Sequence, residues 1–299
     1  MPGDLDESAA ERNRMSRAIH YHGTPSQRLL RPSKRLLQRT GLLQPSAPRR
    51  TLIVAGVQRS GTELVMDMLD THWHTDVYHE WDARAFDNYQ MLPLAEVRKQ
   101  VARSPSRRIV IKALLEADQV RTLLDAFAPS SALWMLRSYA DAVNSMLRSF
   151  PGTGLRLLQQ FREGSEIGKW RWRGMGERAA EVLRAHDRPD LTDADGHALF
   201  WWYRNNLFFD QRMHEDSRIV VLRYEDLARD PETQCRRICT LAGLRETARM
   251  RRMPHAGSIG RHTPPSLAPD IQSLCDDIWM RLGAIADAHG IGWSASKSQ

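Results

Sequence analysis

Thr51-Leu-Ile-Val-Ala-Gly-Val-Gln-Arg-Ser-Gly-Thr62 runs as an apolar strand and then breaks into a turn of small residues around one arginine. Glu63-Leu-Val-Met-Asp-Met-Leu-Asp70 continues with the periodicity of a helix. Strand, tight loop and helix in that order make a cradle for an anion. The first N–H groups of a helix have no partner within it, and Gly56 and Gly61 let the backbone come close to a phosphate. A buried strand that ends in an ordinary turn would show the same pattern, so the rest of the chain has to decide.

Outward from this stretch, strands are expected over 52–55, 74–78, 107–112, 131–136 and 219–222. Helices are expected over 62–71, 117–127, 141–150, 175–186, 198–215, 232–242 and 269–288. Strand and helix alternate, which predicts an α/β fold with a mostly parallel central sheet flanked by helices. Residues 1–50 read as a basic, partly disordered N-terminal extension, with 1–16 mobile, and residues 51–299 as one domain. Within that domain 152–197 has the loosest pattern and reads as a substrate-side insertion or lid.

The loop is not the standard nucleotide loop. Gly56 and Gly61 keep its G-x-x-x-x-G spacing, but Thr62 stands where that motif has its lysine, and Arg59 is the cation instead. Further along, Arg137 and Ser145 lie eight residues apart, at a strand end and inside the next helix. Together they could clamp one phosphate; alternatively Arg137 pairs with Asp141 and Ser145 bonds within its own helix. Lys112 ends an otherwise apolar strand, and His79 and Glu80 end another.

Gln58-Arg-Ser-Gly-Thr62 resembles the donor 5′-phosphate loop of the sulfotransferase family, which uses 3′-phosphoadenosine 5′-phosphosulfate. Arg137-Ser-Tyr-Ala-Asp-Ala-Val-Asn-Ser145 resembles that family's 3′-phosphate site, and Leu222-Arg-Tyr-Glu-Asp-Leu227 with Pro231 its late strand-to-helix signature. Ile111-Lys112 and Gly257-Ser-Ile-Gly-Arg261 resemble its second-strand lysine and its C-terminal donor loop. The resemblance runs from about Leu52 to about Gly290.

It implies a P-loop-like fold and a direct transfer of the sulfuryl group to an acceptor hydroxyl, with 3′-phosphoadenosine 5′-phosphosulfate as co-substrate and no metal. Gln58, Arg59, Ser60, Gly61, Thr62, Arg137, Ser145, Tyr224, Gly260 and Arg261 would bind the donor. Lys112 would stabilise the transferring group and Arg59 would assist. Glu80 is the favoured base, from the likeness of Tyr78-His-Glu80 to the Glu-bearing turn of bacterial and carbohydrate-type members. His79 is the alternative, with an ordinary pKa near 6.5 against about 4.3 for Glu. Glu63 departs from the family, where Thr or Ser is commoner. A carboxylate beside a phosphate is repulsive, so Glu63 must point away or pair with a cation. Tyr224 is expected to brace the sheet and Asp226 to cap the helix that follows.

Composition narrows the alternatives. The formal net charge is +7, and part of the surplus sits at Arg28, Arg31, Lys34, Arg35, Arg39, Arg49 and Arg50. That arm could serve a basic nucleic-acid-binding module, but no zinc finger or RNA-binding signature accompanies it, and the expectation is no nucleic acid and a solvated arm over the domain. A P-loop phosphotransferase is disfavoured by the missing lysine and by the lack of a clear magnesium-binding acid. Three cysteines make no disulfide framework, and Cys235 and Cys239 read as helix packing rather than metal ligands. Without an apolar run of 18 residues or a signal-peptide pattern, the chain is expected in the cytoplasm with no transmembrane segment. Peripheral membrane contact is left open, as is the choice of monomer or homodimer. The expected acceptor is a hydroxyl of a sugar, glycolipid or small metabolite.

Overall fold

The apolar runs become parallel strands because each is covered on both faces. The computed structural model describes residues 33–40, 48–164 and 169–295. Its strands are β1 (Arg50–Gly56), β2 (Thr75–Tyr78), β3 (Phe86–Asp87), β4 (Gln90–Met91), β5 (Arg108–Ala113), β6 (Ser130–Leu136) and β7 (Ile219–Arg223). The helices are α1 (Thr62–Asp70), α2 (Leu94–Arg103), α3 (Val120–Ala126), α4 (Tyr139–Ser149), α5 (Thr153–Arg162) and α6 (Glu177–His186). They continue with α7 (Asp193–Asp210), α8 (Tyr224–Arg229), α9 (Pro231–Ala242), α10 (Ala248–Arg251) and α11 (Pro269–Ala295).

Five strands form one sheet in the order β2-β5-β1-β6-β7, and every neighbouring pair is parallel. Successive side chains leave opposite faces of a strand, so each strand feeds two cores. Ile53, Ile111, Trp134 and Val221 join Leu123, Val143, Trp201 and Ile278 on one side. Leu52, Val54, Val110 and Met135 join Val65, Met68 and Ile238 on the other. The carboxyl ends of β1, β5 and β2 lie side by side in register, where an open parallel sheet binds its ligand.

Several elements differ from the sequence reading. The long helix α7 starts at Asp193, ahead of the expected 198, because Thr192 and Asp195 form a reciprocal capping box. It stops at Asp210, and Arg212 then turns with a φ of 52°. Residues 86–103 hold a short hairpin, β3 with β4, and helix α2, all passed over as irregular sequence. Within 152–197, expected as an insertion or lid, Leu157, Leu158 and Leu183 are buried on helices. There Gly154 and Gly196 let α5 and α7 touch: a Cβ on Gly196 would meet the Gly154 carbonyl carbon at 2.3 Å. Asp226 caps nothing, since α8 already begins at Tyr224; it pairs with Arg223 at 3.6 Å.

The basic arm is only partly described. The expected mobility of 1–16, and Arg28 and Arg31, lie outside the described residues. Residues 33–39 are helical and bury Lys34 and Gln38, while Arg49 donates to the Val101 and Ser104 carbonyls. Lys34 and Arg49 are fastened to the body, while Arg35, Arg39 and Arg50 keep their charge exposed. Cys235, Cys239 and Cys275 are buried free thiols. No helix among the described residues is long and apolar enough to cross a membrane.

Candidate active site

The loop after β1 is shaped by left-handed backbone. Gly61 has a φ of 95°, and a Cβ there would stand 2.4 Å from Cδ2 of Tyr224, so the helix start rests on the tyrosine ring. Arg59 also has a positive φ, 68°, which a non-glycine residue adopts only under constraint. Among the described residues no side chain caps α1, and the Ser60 Oγ and Gln58 Oε1 atoms are buried without a partner. Uncapped helix N–H groups beside an orphaned hydroxyl are the donors an anion needs.

Two arginines meet this loop from different sides. Arg59 Nε donates to Ser145 Oγ at 2.9 Å, which joins residues 86 positions apart. Arg137 donates to the Arg59 carbonyl at 3.2 Å and to the Ser258 carbonyl at 2.9 Å, and its guanidinium lies 4.4 Å from the Tyr224 ring centroid. Its Nε is buried and unpartnered. Asp141, the alternative partner, stands 3.9 Å from Arg137 and accepts from the Gly260 N–H at 3.1 Å. Asn144 reaches the Thr263 carbonyl, so the loop that carries Gly260 and Arg261 is tied to α4 beside Ser145. Arg261 itself is exposed. Burial, then the neighbouring Arg137 and Arg148, lower the pKa of Arg59, a strain that a bound anion would relieve. Ser145, expected with Arg137 as a clamp on one phosphate, accepts from Arg59, while Arg137 is engaged with two carbonyls.

At the ends of β2 and β5 the charged groups form a chain. Lys112 Nζ lies 2.7 Å from Glu80 Oε2 and 2.7 Å from Glu63 Oε2. The other Glu63 oxygen accepts from His79 Nδ1 at 2.9 Å, and His79 Nε2 faces Asp70 Oδ2 at 3.9 Å. Glu63 therefore takes the second course open to it and pairs with cations. Its side chain is 35% exposed against 2% for His79, so it stands at the mouth and His79 beneath. Burial alone would lower the pKa of His79, but the facing carboxylates of Asp70 and Glu63 outweigh it and raise it to about 9. Burial raises the carboxyl of Glu80 against the opposing pull of Lys112. Burial also opposes the charge on Glu63, yet Lys112 and His79 hold its carboxyl below the usual range.

His79 gains affinity for its proton on folding. Its contribution to stability is full below the unfolded value of about 6.5 and is lost as pH rises through about 9. The Tm difference between the protein and a His79→Gln variant is therefore expected to be largest below about pH 6.5 and to shrink across that window. A difference that stays constant from about pH 6 to about pH 9.5 would contradict a protonated His79.

Glu63, Asp67 and His79 each bring one ligand atom within 4.8 Å of the others, a set that could hold a metal ion. The sequence reading did not anticipate it. Glu63 is already shared between Lys112 and His79, so a metal would have to displace a cation in place.

The sulfotransferase family profile matches residues 93–248 of the chain, just over half of it. The chain belongs to the sulfotransferase family. Three solved sulfotransferases are similar in structure. The domain from the Synechococcus olefin synthase has a TM-score of 0.46 at 15% identity, over 78% of this chain and 96% of its own. The Alicyclobacillus acidocaldarius enzyme has a TM-score of 0.43 at 15% identity, over 82% and 96%. The domain from the curacin biosynthetic pathway has 0.45 at 14% identity, over 78% and 98%. No curated protein matches the sequence.

For a sulfotransferase, the matched stretch carries Lys112, Arg137, Ser145 and Tyr224, while the anion loop and the Glu63–His79–Glu80 group lie before it. Sequence reasoning missed Asp70 in this site, gave Ser258 no role of its own within the C-terminal loop, and left Glu63 undirected. One signal was present: Glu63, Asp67 and Asp70 recur at i, i+4 and i+7 and share a face of α1. Trp172, inside the stretch expected as a substrate-side insertion or lid, packs between Phe161, Phe200 and Tyr203 in the body.

Proposed function

We propose that this sulfotransferase moves a sulfuryl group from 3′-phosphoadenosine 5′-phosphosulfate to a hydroxyl of a sugar, glycolipid or small metabolite and releases adenosine 3′,5′-bisphosphate. The observation that carries this reading is the bond from Arg59 to Ser145 beside Arg137, which gathers the loop cation and the phosphate-clamp residues at the uncapped start of α1. The backbone of residues 60–62 and the Ser60 hydroxyl meet the 5′-phosphate. Arg59, Ser145 and Arg137 meet the 3′-phosphate, with Gly260 and Arg261 on the loop at its side and Tyr224 beneath. Gln58 adds a polar group to the loop.

The acceptor oxygen forms its bond to sulfur as the bond from sulfur to the 5′-phosphate oxygen breaks, and the electron pair leaves on that phosphate. Lys112 offsets the charge that develops there. Glu80 takes the acceptor proton; burial raises its carboxyl, which favours this role. His79 is less suited, because it already carries a proton at neutral pH and is buried under Glu63. The reaction needs no metal in this scheme, since Lys112, Arg59 and Arg137 supply the positive charge. Three buried free thiols suit a reducing, cytoplasmic compartment.

The test is transfer of labelled sulfuryl from the donor to a panel of hydroxylated acceptors in excess chelator. Label is expected on at least one acceptor at a rate unaffected by the chelator. Transfer that stops with chelator and returns with a divalent ion would overturn the metal-free scheme.

A further inference from the structure

The wall of charged groups does not end at His79. Asp70, which faces His79 with Oδ2, accepts with Oδ1 from the ammonium of Lys34 at 3.0 Å. Lys34 also donates to the Asp70 carbonyl and to Thr75 Oγ1, both at 2.9 Å, and is 6% exposed. A buried lysine held by three oxygens has one orientation, and it fixes that of the carboxylate beside it. From Lys34 the run continues through Asp70, His79 and Glu63 to Lys112 and Glu80, with alternating sign at each step; the step from Asp70 to His79 is a charge-to-charge approach at 3.9 Å and the others are at 3.0 Å or less. Gln38 fastens the same N-terminal segment separately, by donating to the Trp73 and Thr75 carbonyls at 2.8 Å each.

We infer that Lys34 is a positioning residue for sulfuryl transfer: through Asp70, His79 and Glu63 it sets where the Lys112 ammonium stands. The segment at 33–40 is thereby part of the transfer site although it precedes the anion loop in the chain. With Lys34 removed, Asp70 loses its lysine and draws more strongly on His79. His79 then shares less with Glu63, and Glu63 turns further onto Lys112. The ammonium is pulled from the place where the sulfuryl group needs it, while the phosphate-binding groups around Arg59 and Ser145 are untouched.

This inference rests on the donor reading above, and two ligands separate the two. The affinity ratio between 3′-phosphoadenosine 5′-phosphosulfate and adenosine 3′,5′-bisphosphate isolates the sulfuryl contact, and calorimetry on the full chain reads both. In Lys34→Met the donor is expected to bind about threefold or more weakly and the bisphosphate unchanged, the low end of coupling within one network. Lys34→Arg restores the ratio. In a Glu63→Gln background Lys34→Met has no further effect, because the relay is already cut. Gln38→Leu lowers Tm but leaves the ratio alone, which separates loosening of the segment from loss of the charge. Additive effects of Lys34→Met and Glu63→Gln would overturn the inference, as would an equal loss for both ligands or the same change of ratio in Gln38→Leu. If the wild-type chain binds neither nucleotide, the donor reading itself fails.

Discussion

Glu80→Gln is expected to lower sulfuryl transfer by about 10²- to 10⁴-fold, the range for loss of a general base, and to leave the affinity for adenosine 3′,5′-bisphosphate nearly unchanged. The amide keeps the size of the side chain and its carbonyl can still accept from Lys112, so the site should hold its shape. What it loses is the capacity to take a proton. Lys112 also keeps a carboxylate partner in Glu63, at 2.7 Å, and is not left buried without a counter-charge. Single-turnover kinetics beside calorimetry check both halves. Normal turnover in Glu80→Gln would move the base elsewhere on this wall, with His79 excluded as long as it carries its proton.

Arg137→Ala is expected to weaken adenosine 3′,5′-bisphosphate by roughly tenfold or more, the scale of one lost charge-assisted contact. The structure adds a reason beyond the lost charge. Arg137 ties the Arg59 carbonyl to the Ser258 carbonyl and stacks on Tyr224, which in turn supports Gly61. Its removal frees two loops as well as one guanidinium, so the loss should appear in affinity and also as a lower Tm. Calorimetric titration of the variant reads the first directly. Unchanged affinity would remove Arg137 from the donor site and leave it a bolt between loops.

The sheet was legible because its strands are written as short apolar runs. Residues 108–112 and 132–136 are buried on both faces and bounded by turn residues, and no competing pattern exists there. Helix α2 was not legible in the same way. It buries only Val97 and Val101, too thin an apolar face to stand out among charged residues. Tyr224–Arg229 is absent from the expected helices because its six residues follow β7 without a cap or a full apolar stripe.

In the site, the loop and Lys112 could be found because each ends a strand, and strand ends are where a parallel sheet exposes chemistry. Glu63 could not be placed from the sequence. Its direction is set by Lys112, 49 residues later, and by His79, neither of which shares its helix. Lys34 was hidden for the same reason: a basic residue in a basic stretch reads as solvated, and only the fold brings it to Asp70. Residue chemistry is written locally, whereas the pairing of buried charges depends on which elements the topology brings together.

A crystal structure with adenosine 3′,5′-bisphosphate would show where both phosphates sit. The 5′-phosphate is expected against the backbone of residues 60–62 and the 3′-phosphate between Arg59, Ser145 and Arg137, with Lys112 and Glu80 facing the side from which the acceptor approaches. A nucleotide bound away from the end of β1, or both phosphates held without Arg137 and Ser145, would contradict it.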